Sequence, residues 1–156
     1  MVLEHKMMET DVLCSSPLMS MLSFLSRTKT MPAKVHLLYS TKSTSSDTSE
    51  GNLDQVLFSQ RLRDIASQYT QFQLDFYFTN GQDSSNVQDL SGSPNVSIRN
   101  GRIQRKDIEE ALGSLEERRQ AVSYVCGPRG MTDELVGMIR RMNGMQQDQV
   151  LYEKWW

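Results

Sequence analysis

Two periodicities take turns along this chain, and their alternation narrows the possible folds more than any other feature. Val35-His36-Leu37-Leu38-Tyr39 and the stretch from Ala121 to Cys126 are apolar runs too short for a helix, and read as buried strands. Phe72, Leu74, Phe76 and Phe78 alternate with Gln73, Asp75 and Tyr77, which is the period of a strand. Val150-Leu151-Tyr152 reads as a last strand. Between these, apolar residues recur at helical spacing. The sets are Leu18, Met21, Leu22 and Leu25; then Leu53, Val56, Leu57, Leu62, Ile65 and Tyr69. Ile108, Ala111, Leu112 and Leu115 follow, and then Leu135, Met138, Ile139 and Met142. Strands separated by helices predict an α/β domain, a mostly parallel sheet with helices on both faces. Ligands of such sheets sit beyond the carboxyl ends of the strands, here the segments after Tyr39, Phe78, Val125 and Tyr152.

Local punctuation agrees with this order. Pro17 suits a first helical position behind Ser16 as N-cap, because a helix start leaves that amide without a partner anyway. Asn52 with Gln55 makes a weak capping box. Gln104 reads as the cap of the third helix, with Ile103 placed to staple onto Ile108. The last helix ends in Arg140-Arg141 and Gly144, where cations meet the negative end of the dipole and glycine supplies the turn. The serine-rich stretch from Ser40 to Gly51 and the polar stretch from Asn80 to Gly101 read as loops.

Composition excludes several classes of function. A chain of 156 residues is one domain's worth, and 38% apolar residues can build its core. A net charge of -2 offers no basic footprint for nucleic acid or for an anionic membrane. No apolar run approaches the roughly 20 residues that span a bilayer. Met1 to Thr10 carries neither an apolar signal core nor an Arg-rich transit pattern. The chain as written is therefore expected in the cytoplasm, or in the mitochondrion if its true start lies upstream. Cys14 and Cys126 are too few and too far apart for a disulfide framework, which points to a reducing compartment. Asn95-Val96-Ser97 fits a glycosylation sequon and, with no secretion signal, reads as chance.

Two segments carry chemistry. In Tyr124-Val125-Cys126-Gly127-Pro128-Arg129-Gly130-Met131-Thr132 a buried strand ends at a cysteine. Gly127 then permits close backbone approach, Pro128 stiffens the turn and a helix opens. The plainer reading is a strand-loop-helix joint around an inert buried thiol. The chain ends Tyr152-Glu153-Lys154-Trp155-Trp156, and such indoles can anchor the tail, stack on a planar ligand or meet a partner.

With the Pro17-Leu18-Met19-Ser20-Met21-Leu22 helix before them, these segments make the chain from about Ser16 to Trp156 resemble the pyridine-nucleotide domain of the ferredoxin-NADP reductase superfamily. Within it, the chain is similar to the oxidoreductase NAD-binding domain-containing proteins, whose chains end in a similar Glu-Lys-Trp-Trp. The resemblance implies a Rossmann-like sheet. It implies that Cys126, Gly127 and Pro128 line the nicotinamide site and that Trp156 lies against the flavin, the two positions tied to catalysis. Ser16 and Pro17 would begin the helix behind the phosphate turn, Ser40 and Lys42 would reach the adenosine ribose, and Thr79 would border it. No arginine stands at Asn80 to pair a 2′-phosphate, so the pattern favours NAD(H) over NADP(H), with Lys42 as a loose counter-argument. Under the resemblance Glu153 would orient the amide or a proton, while the Glu153-Lys154 pair also reads as plain surface. FAD belongs to the complete enzyme and would be held by a flavin domain or other redox partner, not by this chain.

The pattern breaks at the beginning. The family's Gly-Gly-x-Gly-x-x-Pro turn reads Asp11-Val12-Leu13-Cys14-Ser15-Ser16-Pro17 here, without a glycine. The strand before that turn is expected to be missing or shortened, leaving the strands near Val35 and Val125 without their common neighbour. Residues 1–15 are accordingly set apart as an unrelated leader, and 16–156 as the NAD(P)-binding domain without its flavin-binding barrel. The favoured function is hydride transfer between nicotinamide and FAD as part of a flavin-dependent oxidoreductase, with this chain inactive alone. The rival is a non-catalytic α/β interaction module that has lost nucleotide binding.

Overall fold

The structure is a computed structural model that describes residues 2–5, 15–42, 53, 56–79, 88–89 and 94–155. Its elements in chain order are β1 (Val2–His5), α1 (Ser15–Thr28), β2 (Val35–Thr41), α2 (Ser59–Gln68), β3 (Phe72–Phe78), β4 (Gln88–Asp89) and β5 (Val96–Asn100). There follow α3 (Arg105–Leu112), α4 (Leu115–Gln120), β6 (Ser123–Pro128), α5 (Arg129–Arg140), a 3-10 turn (Gln147–Gln149) and β7 (Val150–Trp155). The strands form one sheet in the order β4-β5-β3-β2-β1-β6-β7. Every pairing is parallel except β4 with β5. This is the α/β architecture the alternating periodicities predict.

The first strand is present and short. Val2–His5 runs for four residues against the seven of β2, pairing Val2 with Leu38 on one side and with Val125 on the other. It fills the slot between β2 and β6 from within the segment the sequence sets apart as a leader. A central parallel strand usually announces itself as a continuous apolar run. Val2-Leu3 is too brief a run to do so.

Each face of the sheet is closed by its own helices. Leu18, Met19 and Leu22 of α1 and Leu62, Ile65 and Ala66 of α2 pack on Leu37, Tyr39, Leu74, Phe76, Phe78, Val96, Ile98 and Cys126. On the opposite face Ile108 of α3 and Leu135, Val136 and Ile139 of α5 cover Leu38, Tyr77 and Val125. Two-sided cover explains why β3 is not half polar. Its alternation is real, but both Asp75 and Tyr77 are buried under the second helical layer.

Several boundaries differ from the sequence reading. Ser40 and Thr41 belong to β2 rather than to a loop, and both are buried. The region from 80 to 101 contains β5, which pairs with β3 from Leu74↔Val96 to Phe78↔Asn100. Its Val96 and Ile98 alternate correctly, but Asn, Ser and Gly around them gave a loop signature. Leu53 and Val56 are buried ahead of α2, which starts only at Ser59 after Phe58 adopts φ 63. Gly113, at φ 73, ends α3, so Leu115 falls in the separate helix α4 and is exposed. The cap at Gln104 forms as expected, its backbone amide donating to Asp107 Oδ2 at 2.7 Å. Asn52 and Gln55 lie outside the described residues.

Candidate functional site

Register brings the expected site residues to one edge. His5 is level with Thr41, Thr41 with Phe78, and Pro128 with Trp155, so these strands finish together at the carboxyl side of the sheet. Cys126 lies between Leu3 of β1 and Glu153 of β7, on the strand next to the β7 edge. Helix α1 opens from the same edge, starting at Ser15. Ser16 and Pro17 therefore stand in its first turn, with Ser16 inside the helix rather than flanking it.

The Cys126-Gly127-Pro128 segment is a strand end running directly into a helix. Gly127 and Pro128 complete β6, and α5 begins at the next residue, Arg129. The Thr132 hydroxyl donates to the Gly127 carbonyl at 3.0 Å, tying the turn to the helix that follows. Thr132 is fully buried, so this bond is shielded from water and fixes the turn. The Cys126 side chain has no exposed surface and belongs to the core on the α1 face. What this segment offers outward is its turn and the start of α5, whose first amides have no partner within the helix.

At β2 and β3 the geometry is more closed than the sequence suggests. Ser40 is buried within the sheet, while Lys42 is exposed just past its end. Thr79 sends both its amide, at 2.9 Å, and its hydroxyl, at 3.3 Å, to the Thr41 carbonyl. The two strand ends are thereby clamped together. Asn80, Trp156 and the stretch from Asp11 to Cys14 lie outside the described residues.

The tail is tied by side chains as well as by pairing. Tyr124 donates to Glu153 Oε2 at 2.7 Å, so Glu153 already holds a partner on the sheet. Lys154 bridges to Asp133 of α5 at 2.5 Å and lies over the Tyr152 ring at 5.0 Å. Arg140 approaches the same ring at 5.4 Å. These contacts dock β7 onto α5 and carry Trp155 to the level of Pro128.

A second polar constellation was not singled out from the sequence. Asp75 lies in mid-sheet, accepting from Ser97 at 2.5 Å and pairing with His36 at 2.8 Å and Arg99 at 3.3 Å. Arg99 continues to Asp107 at 3.4 Å and Glu110 at 3.2 Å. Burial pushes the Asp75 carboxyl up, but the hydrogen bonds from His36 and Ser97 and the charges of His36 and Arg99 outweigh it and hold it below the usual carboxylate range. Serine, histidine and aspartate meet here, yet not as a nucleophilic triad. The aspartate is the hub, and the serine donates to it rather than to the histidine. The signal was available: positions 36, 75, 97 and 99 are polar residues on one face of three neighbouring strands. Among the described residues no group of His, Cys, Asp and Glu is arranged to hold a metal ion, and no helix is long and apolar enough to cross a membrane.

The chain is similar to Oxidoreductase NAD-binding domain-containing protein 1 of Danio rerio, 27% identical over 126 residues. That match covers 80% of the chain and 40% of the relative, so the chain spans less than half the relative's length. No family model matches the chain, and no solved structure does.

Proposed function

We propose that the chain is a pyridine-nucleotide-binding domain forming one half of a flavin-linked oxidoreductase. The observation that carries this reading is the Cys126-Gly127-Pro128 strand end, which lies next to β1 at the carboxyl edge and opens directly into α5. The name of the Danio rerio relative, which speaks of NAD binding, agrees with it. Under this reading Ser16 and Pro17 start the helix that faces the pyrophosphate. Ser40, Lys42 and Thr79 border the adenosine ribose. Cys126, Gly127 and Pro128 line the nicotinamide by their backbone, with the Cys126 thiol packed beneath. NAD(H) is favoured over NADP(H), because no arginine follows Thr79.

FAD, supplied by a second domain, would provide the hydride-accepting chemistry, and this chain's share is to bind and orient the nicotinamide. Trp156 would cover the flavin face. A different reading, a module kept for protein contacts, is favoured by exposed apolar side chains: Val122 at 67%, Phe24 at 57% and Leu151 at 49%.

Titration calorimetry with NADH separates the two readings. We expect weak binding by the natural chain, and tighter binding once Asp11 to Ser16 is replaced by Gly-Gly-Val-Gly-Ile-Asn. We also expect loss of binding in Gly127→Val and no NADH oxidation above the free-flavin rate with added FAD and ferricyanide. A folded glycine-turn variant that binds no NADH would refute the nucleotide reading.

A further inference from the structure

A cavity of about 380 Å³ lies between α1 and α2, lined by Met19, Ser20, Ser23, Arg27, Phe58 and Arg61. Its lining runs along α1 from Met19, about 6 Å from Ser15 along the axis, to Arg27 in the last turn, about 18 Å away. Neither Arg27 nor Arg61 makes an ion pair among the described residues, and no other contact of theirs accounts for their charge. The acid nearest to Arg61 in sequence on α2, Asp64, accepts from Gln60 at 3.0 Å instead. Arg61 is three residues into α2, where the helix dipole disfavours a cation that none of the described residues neutralises.

Two guanidinium groups reaching one cavity from two helices match a tetrahedral oxyanion, since each fork can give parallel N–H bonds to phosphate oxygens. Ser20 adds a hydroxyl. The Ser23 proton is already committed to the Met19 carbonyl, so its oxygen can only accept. Met19 and Phe58 supply an apolar wall that bare phosphate would not need, and the volume falls in the range of small-molecule sites. Phe58 holds φ 63, a conformation costly for a bulky residue and one that concentrates at ligand clamps.

We propose that the α1–α2 cavity binds a small organic phosphate monoester, its phosphate held by Arg27 and Arg61 and its organic part against Met19 and Phe58. The site is independent of the nucleotide reading, since none of the residues assigned to the nucleotide lines it.

Phenyl phosphate and inorganic phosphate are the probes, with affinity read by titration calorimetry and location by amide shifts in a 15N-labelled chain. Phenyl phosphate should bind more tightly than inorganic phosphate and shift the amides of Ser20, Ser23 and Arg61. Arg27→Gln and Arg61→Gln, both at exposed positions, should each weaken it roughly tenfold or more. Saturating NADH should not displace it. Ser20→Ala, a milder change, should weaken binding less than either arginine variant. The proposal is overturned if phenyl phosphate gives no shifts at α1 and α2, if both arginine variants bind it as the natural chain does, or if NADH competes it away.

Discussion

Replacing Asp75 by asparagine keeps the shape of the buried hub and removes its charge. The carboxylate takes three partners on two oxygens: Ser97 on Oδ1, and His36 and Arg99 on Oδ2. An asparagine retains one acceptor oxygen. It can keep Ser97, but then turns an amide N–H group towards the donor-only Arg99 fork, which loses its acceptor, and towards His36 Nε2, which keeps the contact only as the tautomer that accepts. Removing one partner of a buried charge pair costs about 3–5 kcal/mol when the other is stranded. Arg99 is not wholly stranded, since Asp107 and Glu110 remain in reach, so the cost falls to or somewhat below the low end of that range. We expect Asp75→Asn to lose about 2–3 kcal/mol. In a domain of this size that is roughly 4–12 °C in melting temperature. Urea unfolding followed by circular dichroism at pH 7 measures it. The pH dependence is a second readout. Because the folded Asp75 carboxyl lies below its ordinary value, its stabilisation is present in full above the unfolded pKa and disappears as pH falls through the folded one. The natural chain should therefore lose more stability than Asp75→Asn on acidification below about pH 4. Equal stability at pH 7, or parallel acid limbs in the two proteins, would show that the cluster contributes no net stabilisation.

Deleting residues 1–5 should prevent cooperative unfolding altogether, because β2 and β6 would both lose the strand between them; an unchanged urea midpoint would mean that β1 does not stabilise the sheet. Thr132→Val removes the buried bond to the Gly127 carbonyl at nearly constant volume. It should cost about 1–3 kcal/mol in stability and weaken NADH binding in the glycine-turn variant, as calorimetry would show; full affinity would mean that the turn holds its shape unaided. In a chain extended with a flavin-binding barrel, Trp156→Ala should tighten NADH binding about tenfold and slow turnover. A fall in melting temperature alone would instead make Trp156 a structural anchor.

What could be read in advance follows from how far each signal stands above its surroundings. β2 and β6 carry dense apolar runs bounded by turns, and they appear where expected. α5 carries both an apolar stripe and a cationic end, which fix its ends from two directions. β5 has only Val96 and Ile98 to set against a polar neighbourhood, and β1 only Val2 and Leu3, so tertiary pairing rather than local pattern makes them strands. Of the candidate site, the strand-to-helix joint was legible because glycine, proline and a helix start coincide, although β6 runs on through Gly127 and Pro128 rather than stopping at Cys126. The buried Cys126 thiol matches the plainer of its two readings, whereas the burial of Ser40 was not legible, because serine beside a serine-rich stretch reads as loop. Asp75 stayed hidden for the opposite reason: in a period-two strand a polar residue is assigned to solvent, and only the second helical layer buries it.

The position of β1 also sets an order of events in time. Leu3 pairs with Cys126, so β1, an interior strand of the sheet, precedes both of its neighbours and meets one of them only about 120 residues later. At ribosomal speeds of roughly 5–20 residues per second, one edge of β1 stays open for on the order of ten seconds after β1 leaves the ribosome. The α1, β2, α2, β3 and β5 segments can assemble in that interval, but β6, α5 and β7 must arrive before the sheet closes. Folding during synthesis is thus gated by the last quarter of the chain, the same stretch that carries the Gly127 turn and the tryptophan tail.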